Sequence, residues 1–204
     1  LGPTPMLYYS VYHQDADGGV MITGSHNPPD QNGFKFMLGK GPFYGDDIAG
    51  LGRIAATGDY AEGEGVATDV PMFEAYVARI AGDFIPGRDL KVAWDAGNGA
   101  AGEAMAALAA RLPGIHLLLN EVIDGTFPSH HPDPSVPENL ALLIGLVKAE
   151  KCDFGIAFDG DGDRIGVVDE QGRILWGDQL MAVFAAEVLG RNPGATIIAD
   201  VKAS

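Results

Sequence analysis

Short apolar runs alternate with helical periodicities along most of the 204 residues. Val20–Thr23 and Phe34–Met37 flank a polar Pro/Gly/Asn loop, the pattern of two strands. A weak helix is predicted near Asp46–Ala56, with Ile48, Leu51 and Ile54 on one side, and the Gly- and acid-rich segment 58–65 reads as a linker. Thr68 or Asp69 is expected to cap a helix with Pro71 in its first turn. Its apolar stripe is Phe73, Val77, Ile80 and Phe84, and Pro86-Gly87 stops it. Lys91–Trp94 reads as a strand, 102–112 as an Ala-rich helix and Ile115–Leu119 as a strand. After a Pro/His loop over 124–137, Leu140, Leu143, Ile144 and Val147 mark another helix. Phe154–Phe158 and Ile165–Val168 are strands around an acidic loop, with a turn at Gln171-Gly172 into 173–175. Asp178 is expected to cap a helix over 179–189, and residues 196–200 read as a buried strand.

Strands separated by single helices imply an α/β fold with parallel sheets covered on both faces. The boundaries fall near 68 and 175, dividing the chain into 1–68, 69–175 and 176–204. The chain opens Leu-Gly-Pro-Thr-Pro and ends soon after an apolar run, which is the expectation for a piece of a longer polypeptide.

Charge narrows the choice of ligand. Thirteen Lys+Arg against 28 Asp+Glu leave a net charge of −15. That field repels nucleic acid and anionic membranes, and any phosphate ligand needs local cations to overcome it. Gly and Pro, 29 and 13 residues, point to many tight turns. The single cysteine, Cys152, rules out an intrachain disulfide and a Cys-rich zinc site and suits a reducing, cytoplasmic setting. No apolar run reaches membrane-spanning length.

Candidate chemistry sits in loops. Asp159-Gly160-Asp161-Gly162-Asp163-Arg164 directly follows an apolar strand. Carboxylates at i, i+2 and i+4 can converge on one hard cation, the glycines letting the loop curve; without a cation they would repel one another. The run begins like an EF-hand, but Arg164 stands where that loop needs Gly, and the flanks alternate as strands do. Mg²⁺ with open positions for a phosphate oxygen is the better fit. In Thr23-Gly24-Ser25-His26-Asn27-Pro28-Pro29, continuing to Lys35, two prolines stiffen a loop that presents one hydroxyl. The surroundings are not those of a Gly-x-Ser-x-Gly elbow. A phosphorylated Ser25 would carry about −1.5 to −2 charges, which a metal and Lys35 could neutralise. Gly97-Asn98-Gly99-Ala100-Ala101-Gly102 with Glu121 matches the spacing of a dinucleotide fingerprint, although Asp95 before the turn and the absence of other redox signatures weigh against it. His130-His131 in a Pro-rich loop is more often structural than metal-binding. Lys202 follows the terminal apolar run, where a cation could reach a ligand.

Taken together, the segments 23–29 and 32–35, 95–102, 125–134 (Gly-Thr-Phe-Pro-Ser-His-His-Pro-Asp-Pro), 159–164 and 200–202 resemble the α-D-phosphohexomutase family, in its phosphomannomutase/phosphoglucomutase branch. The resemblance implies three-layer αβα domains with mixed or parallel sheets. The segments would be the C-terminal part of domain 1, domain 2 with its metal loop, and the start of domain 3. It further implies a Mg²⁺-dependent isomerase that moves a phosphoryl group between C1 and C6 of mannose or glucose phosphates. Transfer would pass through a phosphoserine and a bisphosphorylated sugar, with glucose 1,6-bisphosphate or an equivalent as activator. Carried over by motif, Ser25 is the phosphoserine and holds Mg²⁺ with Asp159, Asp161 and Asp163. His26, Lys35 and Arg164 stabilise the transferring group, and Lys202 faces the substrate. On this reading the segment alone binds metal without turning over, and apolar edges at Tyr8–Val11 and Gly19–Ile22 favour self-association. Alternative readings are the phosphoglucosamine branch, a non-catalytic metal- or phosphosugar-binding module, and a nicotinamide-dinucleotide domain.

Overall fold

The computed structural model describes the chain apart from Pro29, Lys202 and Ser204. The first unit opens with α1 (Thr4–His13), in which Pro5 lies in the first turn, where a missing N–H costs nothing. Strands β1 (Gly18–Ile22), β2 (Phe34–Leu38) and β3 (Gly41–Pro42) form an antiparallel sheet in that order, and α2 (Asp46–Thr57) follows. Met21 pairs with Lys35 and Val20 with Phe36, so the pleat divides the side chains into two sets. Gly19 lies against α1, where a Cβ would come within 2.7 Å of Val11 Cγ2. The opposite set, with Val20, Ile22, Phe34 and Leu38, is exposed. Tyr8–Val11, expected as an apolar edge, is instead the second half of α1, and Val11 is buried. The aromatic run masked a helix whose packing face is supplied by the sheet.

Beyond residues 58–72, which carry no helix or strand, α3 (Phe73–Ala81) starts later than the expected cap at Thr68 or Asp69. Only Val77 of its predicted stripe is buried; Ile80 and Phe84 are exposed. The second sheet contains β4 (Lys91–Asp95), β5 (Ile115–Leu119), β6 (Phe154–Phe158), β7 (Ile165–Asp169) and β8 (Ile174–Leu175). Its order is β5-β4-β6-β7-β8. Strands β5, β4 and β6 are parallel, linked through α4 (Gly102–Ala109) and α5 (Ala141–Glu150), whereas β6, β7 and β8 are antiparallel. This sheet is therefore mixed rather than wholly parallel. Only the loop 159–164 joins β6 to β7, too short for a crossover.

Helix α5 covers one face, burying Leu143, Val147, Ala93, Ala157 and Val168 together with Cys152, whose thiol pKa burial raises. Gly155 allows the close approach, since a Cβ there would meet Leu143 Cδ1 and Val147 Cγ2 at 2.8 Å. Helices α3 and α4 pack together, and Met105 of α4 joins Val92, Trp94 and Ala96 on the other face. Helix α6 (Gly177–Arg191) follows β8, its Gln179 side chain accepting the Trp176 N–H at 2.9 Å. Residues 196–200 are not a strand, and Ile198 is 84% exposed. No described strand lies alongside to take up its backbone groups, so apolar character alone does not make it one. No helix is long and apolar enough to cross a membrane among the described residues.

Truncating the fully buried Leu143 to Ala should lower the unfolding free energy by roughly 2–5 kcal/mol. A urea titration reads this directly, and a loss under about 1 kcal/mol would contradict this packing of α5.

Candidate functional site

Strand β6 delivers Asp159 at its carboxyl end, and the loop 159–164 then folds back into β7. The flanks are strands, as the alternation predicts, and the three carboxylates do converge: Asp159, Asp161 and Asp163 each offer an oxygen within 4.8 Å of the others. Asp159 is fully buried. Its Oδ1 accepts the backbone N–H groups of Asp163 and Arg164, both at 3.0 Å, which ties the loop into a ring. Its Oδ2 accepts the Arg164 guanidinium at 2.9 and 3.1 Å.

The loop between β1 and β2 meets this ring. Ser25 has a φ of +52°, a left-handed conformation uncommon outside glycine, and its amide is held by Thr23 Oγ1 at 2.9 Å. In that pose its hydroxyl donates to Asp159 Oδ2 at 2.8 Å. Contact between the loops is backbone-close: a Cβ on Gly160 would lie 2.0 Å from the Ser25 carbonyl oxygen. Lys35 arrives from β2 on the α1 side of the sheet. Its ammonium reaches Asp161 Oδ2 at 2.6 Å and also bonds Asp163 Oδ2. Helix α1 adds Thr4, whose hydroxyl donates to Asp161 Oδ2 and whose N–H donates to the Asp161 carbonyl at 2.8 Å.

Three carboxylates against Lys35 and Arg164 leave a local sum of −1. Burial pushes the Asp161 pKa up, but hydrogen bonds from Lys35 and Thr4 outweigh it and hold the group below the usual carboxylate range. The Lys35 pKa, by contrast, is raised: its own burial opposes the charge, and the two aspartates prevail. Asp161 Oδ1 is buried without a hydrogen-bond partner among the described residues. An all-oxygen cluster with a buried, unsatisfied carboxylate oxygen fits a hard divalent cation such as Mg²⁺.

His26 stands beside Ser25 and pairs through Nδ1 with Asp133 Oδ2 at 3.2 Å. Asp133 Oδ1 accepts Ser135 Oγ at 2.6 Å and Ser135 N at 3.0 Å, and lies 3.6 Å from Arg164 Nη1. Burial raises the Asp133 pKa, yet the Ser135 hydrogen bonds with the Arg164 and His26 charges bring it down overall. One carboxylate thus orients both His26 and Arg164. His130 is separate from this group. Its Nε2 meets the fully buried Asp95 at 3.1 Å, where Asp95 also accepts Gly97 N and Asn120 Nδ2.

The glycine turn at 97–102 is filled by protein. A Cβ on Gly102 would come within 2.0 Å of the Glu121 carbonyl oxygen, and one on Gly99 within 2.7 Å of the Gly160 carbonyl oxygen. The Ala100 N–H donates to that same Gly160 oxygen at 2.8 Å. These glycines buttress the acidic loop, and the amides of Gly97, Asn98, Gly99, Ala100 and Gly102 are already engaged within the protein.

Two family models match the chain: residues 1–61 match "Phosphoglucomutase/phosphomannomutase, alpha/beta/alpha domain I", and residues 74–172 match domain II of the same description. The chain belongs to the phosphoglucomutase/phosphomannomutase family. It is 46% identical over 200 residues to a Pseudomonas aeruginosa protein named phosphomannomutase/phosphoglucomutase, covering 98% of this chain and 43% of that one. Against a Neisseria gonorrhoeae phosphoglucomutase the identity is 44% over 203 residues, covering 98% and 44%. A crystal structure of a phosphoglucomutase/phosphomannomutase family protein from Burkholderia thailandensis superposes with a TM-score of 0.90 at 43% identity, over 96% of this chain and 44% of that one. The chain thus spans less than half the length of these relatives.

Ser25, His26, Lys35, Arg164 and the aspartate triad are gathered at one place; Lys202 lies outside the described residues. Sequence reasoning missed two contributors. Asp133 was visible only as part of a Pro-rich loop, where a carboxylate two residues after His131 was the available signal. Thr4 offered none, because its role depends on where α1 docks.

Two outcomes follow from this geometry. Gly160→Ala should force the Ser25 loop off the acidic loop and lower the unfolding free energy by roughly 1–3 kcal/mol, read by urea denaturation; an unchanged midpoint would refute the contact. The hydrogen bond to Asp95 raises the His130 pKa against the effect of its burial. Its stabilisation is therefore complete below the unfolded value of about 6.5 and is lost as pH rises through the higher folded value. His130→Gln should cost roughly 1–3 kcal/mol near pH 6 and progressively less toward alkaline pH. A gap that widens with pH would contradict the pairing.

Proposed function

We propose that this chain carries the phosphoryl-transfer centre of a cytoplasmic hexose-phosphate mutase acting on mannose and glucose phosphates. The observation that supports this most directly is the Ser25 hydroxyl, 2.8 Å from Asp159 and beside a convergent aspartate triad flanked by two cations. The names borne by the relatives point the same way.

In this reading Ser25 carries the phosphoryl group that is exchanged between C1 and C6 of the sugar. A bisphosphorylated hexose such as glucose 1,6-bisphosphate is the intermediate and activator. Ser25 with Asp159, Asp161 and Asp163 would hold Mg²⁺, which would supply positive charge for phosphoryl transfer. The rest is done by the chain's own side chains. The strained Ser25 backbone and its Thr23 tether fix the hydroxyl in one pose, which in-line transfer requires. Lys35 and Arg164, each pinned close to Ser25 by these carboxylates, supply positive charge at the place of transfer. Asp133 sets the orientation of His26, which is placed to exchange a proton near the serine oxygen. Lys202 is assigned to the substrate. The assignment divides the chain into 1–68, 69–175 and 176–204, the serine and the triad coming from different units. Most sugar recognition falls to the parts of the longer relatives that this chain does not span, so the chain alone binds metal and accepts a phosphoryl group on Ser25 but does not turn over.

Incubation with a radiolabelled hexose bisphosphate, followed by phosphopeptide mass spectrometry, tests the assignment. Label is expected on Ser25 and absent from Ser25→Ala, with incorporation reduced roughly 100-fold or more in Asp161→Asn. Label on another residue, or undiminished labelling without Asp161, would refute it.

A further inference from the structure

We propose that His26, His131 and Asp133 form a second metal site, separate from the aspartate triad and suited to a borderline transition-metal ion such as Zn²⁺. The three residues come from two loops: His26 follows Ser25, and His131 and Asp133 lie between β5 and the short 3₁₀ turn 137–140 that precedes α5. One ligand atom from each lies within 4.8 Å of the others. Zn–N bonds of about 2.0–2.1 Å and Zn–O bonds of about 2.0–2.2 Å give tetrahedral edges of roughly 3.3–3.6 Å. The His26 Nδ1 to Asp133 Oδ2 separation of 3.2 Å is already close to such an edge. The two imidazoles meet edge-on, with an interplanar angle of 66° and centroids 6.4 Å apart, so neither ring blocks the other by stacking.

The carboxylate is prepared for this role. Its Oδ1 is committed to Ser135 and faces Arg164, and Asn139 Nδ2 holds the Asp133 carbonyl at 2.9 Å. Oδ2 is thereby presented to the histidines in a fixed direction, as outer contacts do for metal ligands. Among the described residues, Arg164 is the cation that lies against Asp133. It is drawn toward Asp159 at 2.9 Å, and the neighbouring triad offsets the added positive charge.

Donor chemistry separates the two sites. Two imidazoles and one carboxylate favour Zn²⁺, Co²⁺ or Ni²⁺, whereas the all-carboxylate triad favours Mg²⁺. Three protein ligands leave a fourth position for water or an oxyanion. An ion there ties the Ser25 loop to the 124–136 loop and, resting on the proton-exchange role given to His26 above, occupies that side chain.

The test uses the whole chain in saturating Mg²⁺ and needs neither substrate nor turnover, so its outcome is independent of the phosphoryl-transfer assignment. Co²⁺ is added and its visible d–d absorption recorded. Bands of a four- or five-coordinate ion are expected, displaced by Zn²⁺ and persisting against excess Mg²⁺. His131→Ala should weaken Co²⁺ binding roughly tenfold or more, with unchanged far-ultraviolet circular dichroism, while Asp161→Asn should leave it intact. Asp133→Asn serves as a second variant and should weaken it as well. Absence of the bands, their displacement by Mg²⁺, or their loss in Asp161→Asn but not in His131→Ala would overturn the proposal.

Discussion

Two carboxylates buried side by side, those of Asp159 and Asp161, constrain everything else in this chain. An isolated buried carboxylate is costly unless it is paired and hydrogen-bonded, and here two lie on one short loop. Their partners cannot come from that loop alone. Arg164 and two backbone amides serve Asp159, but Lys35 must arrive from β2 and Thr4 from α1. Docking of the first unit onto the second is therefore part of charge compensation as well as packing. The glycines of the loop make this docking feasible, because at position 160 even one methyl group would collide with the Ser25 carbonyl.

The same requirement bears on the phosphoryl chemistry proposed for this chain of net charge −15. Its cations are few, and two of them, Lys35 and Arg164, are concentrated at the loop crossing. Each is held there by carboxylates and is ready before any anion arrives. Electrostatic preorganisation of this kind avoids the cost of recruiting charge during a reaction. A divalent cation at the triad would reverse the sign of the local balance, so metal and phosphate binding would be coupled at this place.

Much of the second unit was legible because its strands and helices bury continuous apolar faces. Phe154–Phe158 and the Leu140/Leu143/Val147 stripe announce themselves through periodicity, and both appear where the pattern put them. Periodicity failed where burial is supplied from elsewhere. Helix α1 hides in an aromatic run because its inner face is defined by Gly19 and the neighbouring strand. Residues 196–200 have the apolar character of a strand, yet an exposed Ile198 and no described partner strand leave them without one.

Residue identity and spacing by themselves marked the acidic loop as a candidate cation site, the stiffened Ser-His loop as a candidate for the reacting hydroxyl, and the family resemblance. Those properties reside in short contiguous segments whose chemistry needs no distant neighbour to be read. Only the tertiary structure decided that Ser25 touches Asp159, that Thr4 and Lys35 share Asp161, and that Asp133 lies between His26 and Arg164. Such contacts join loops far apart along the chain. Their existence depends on how sheets and helices stack, a matter of long-range burial that local pattern does not encode.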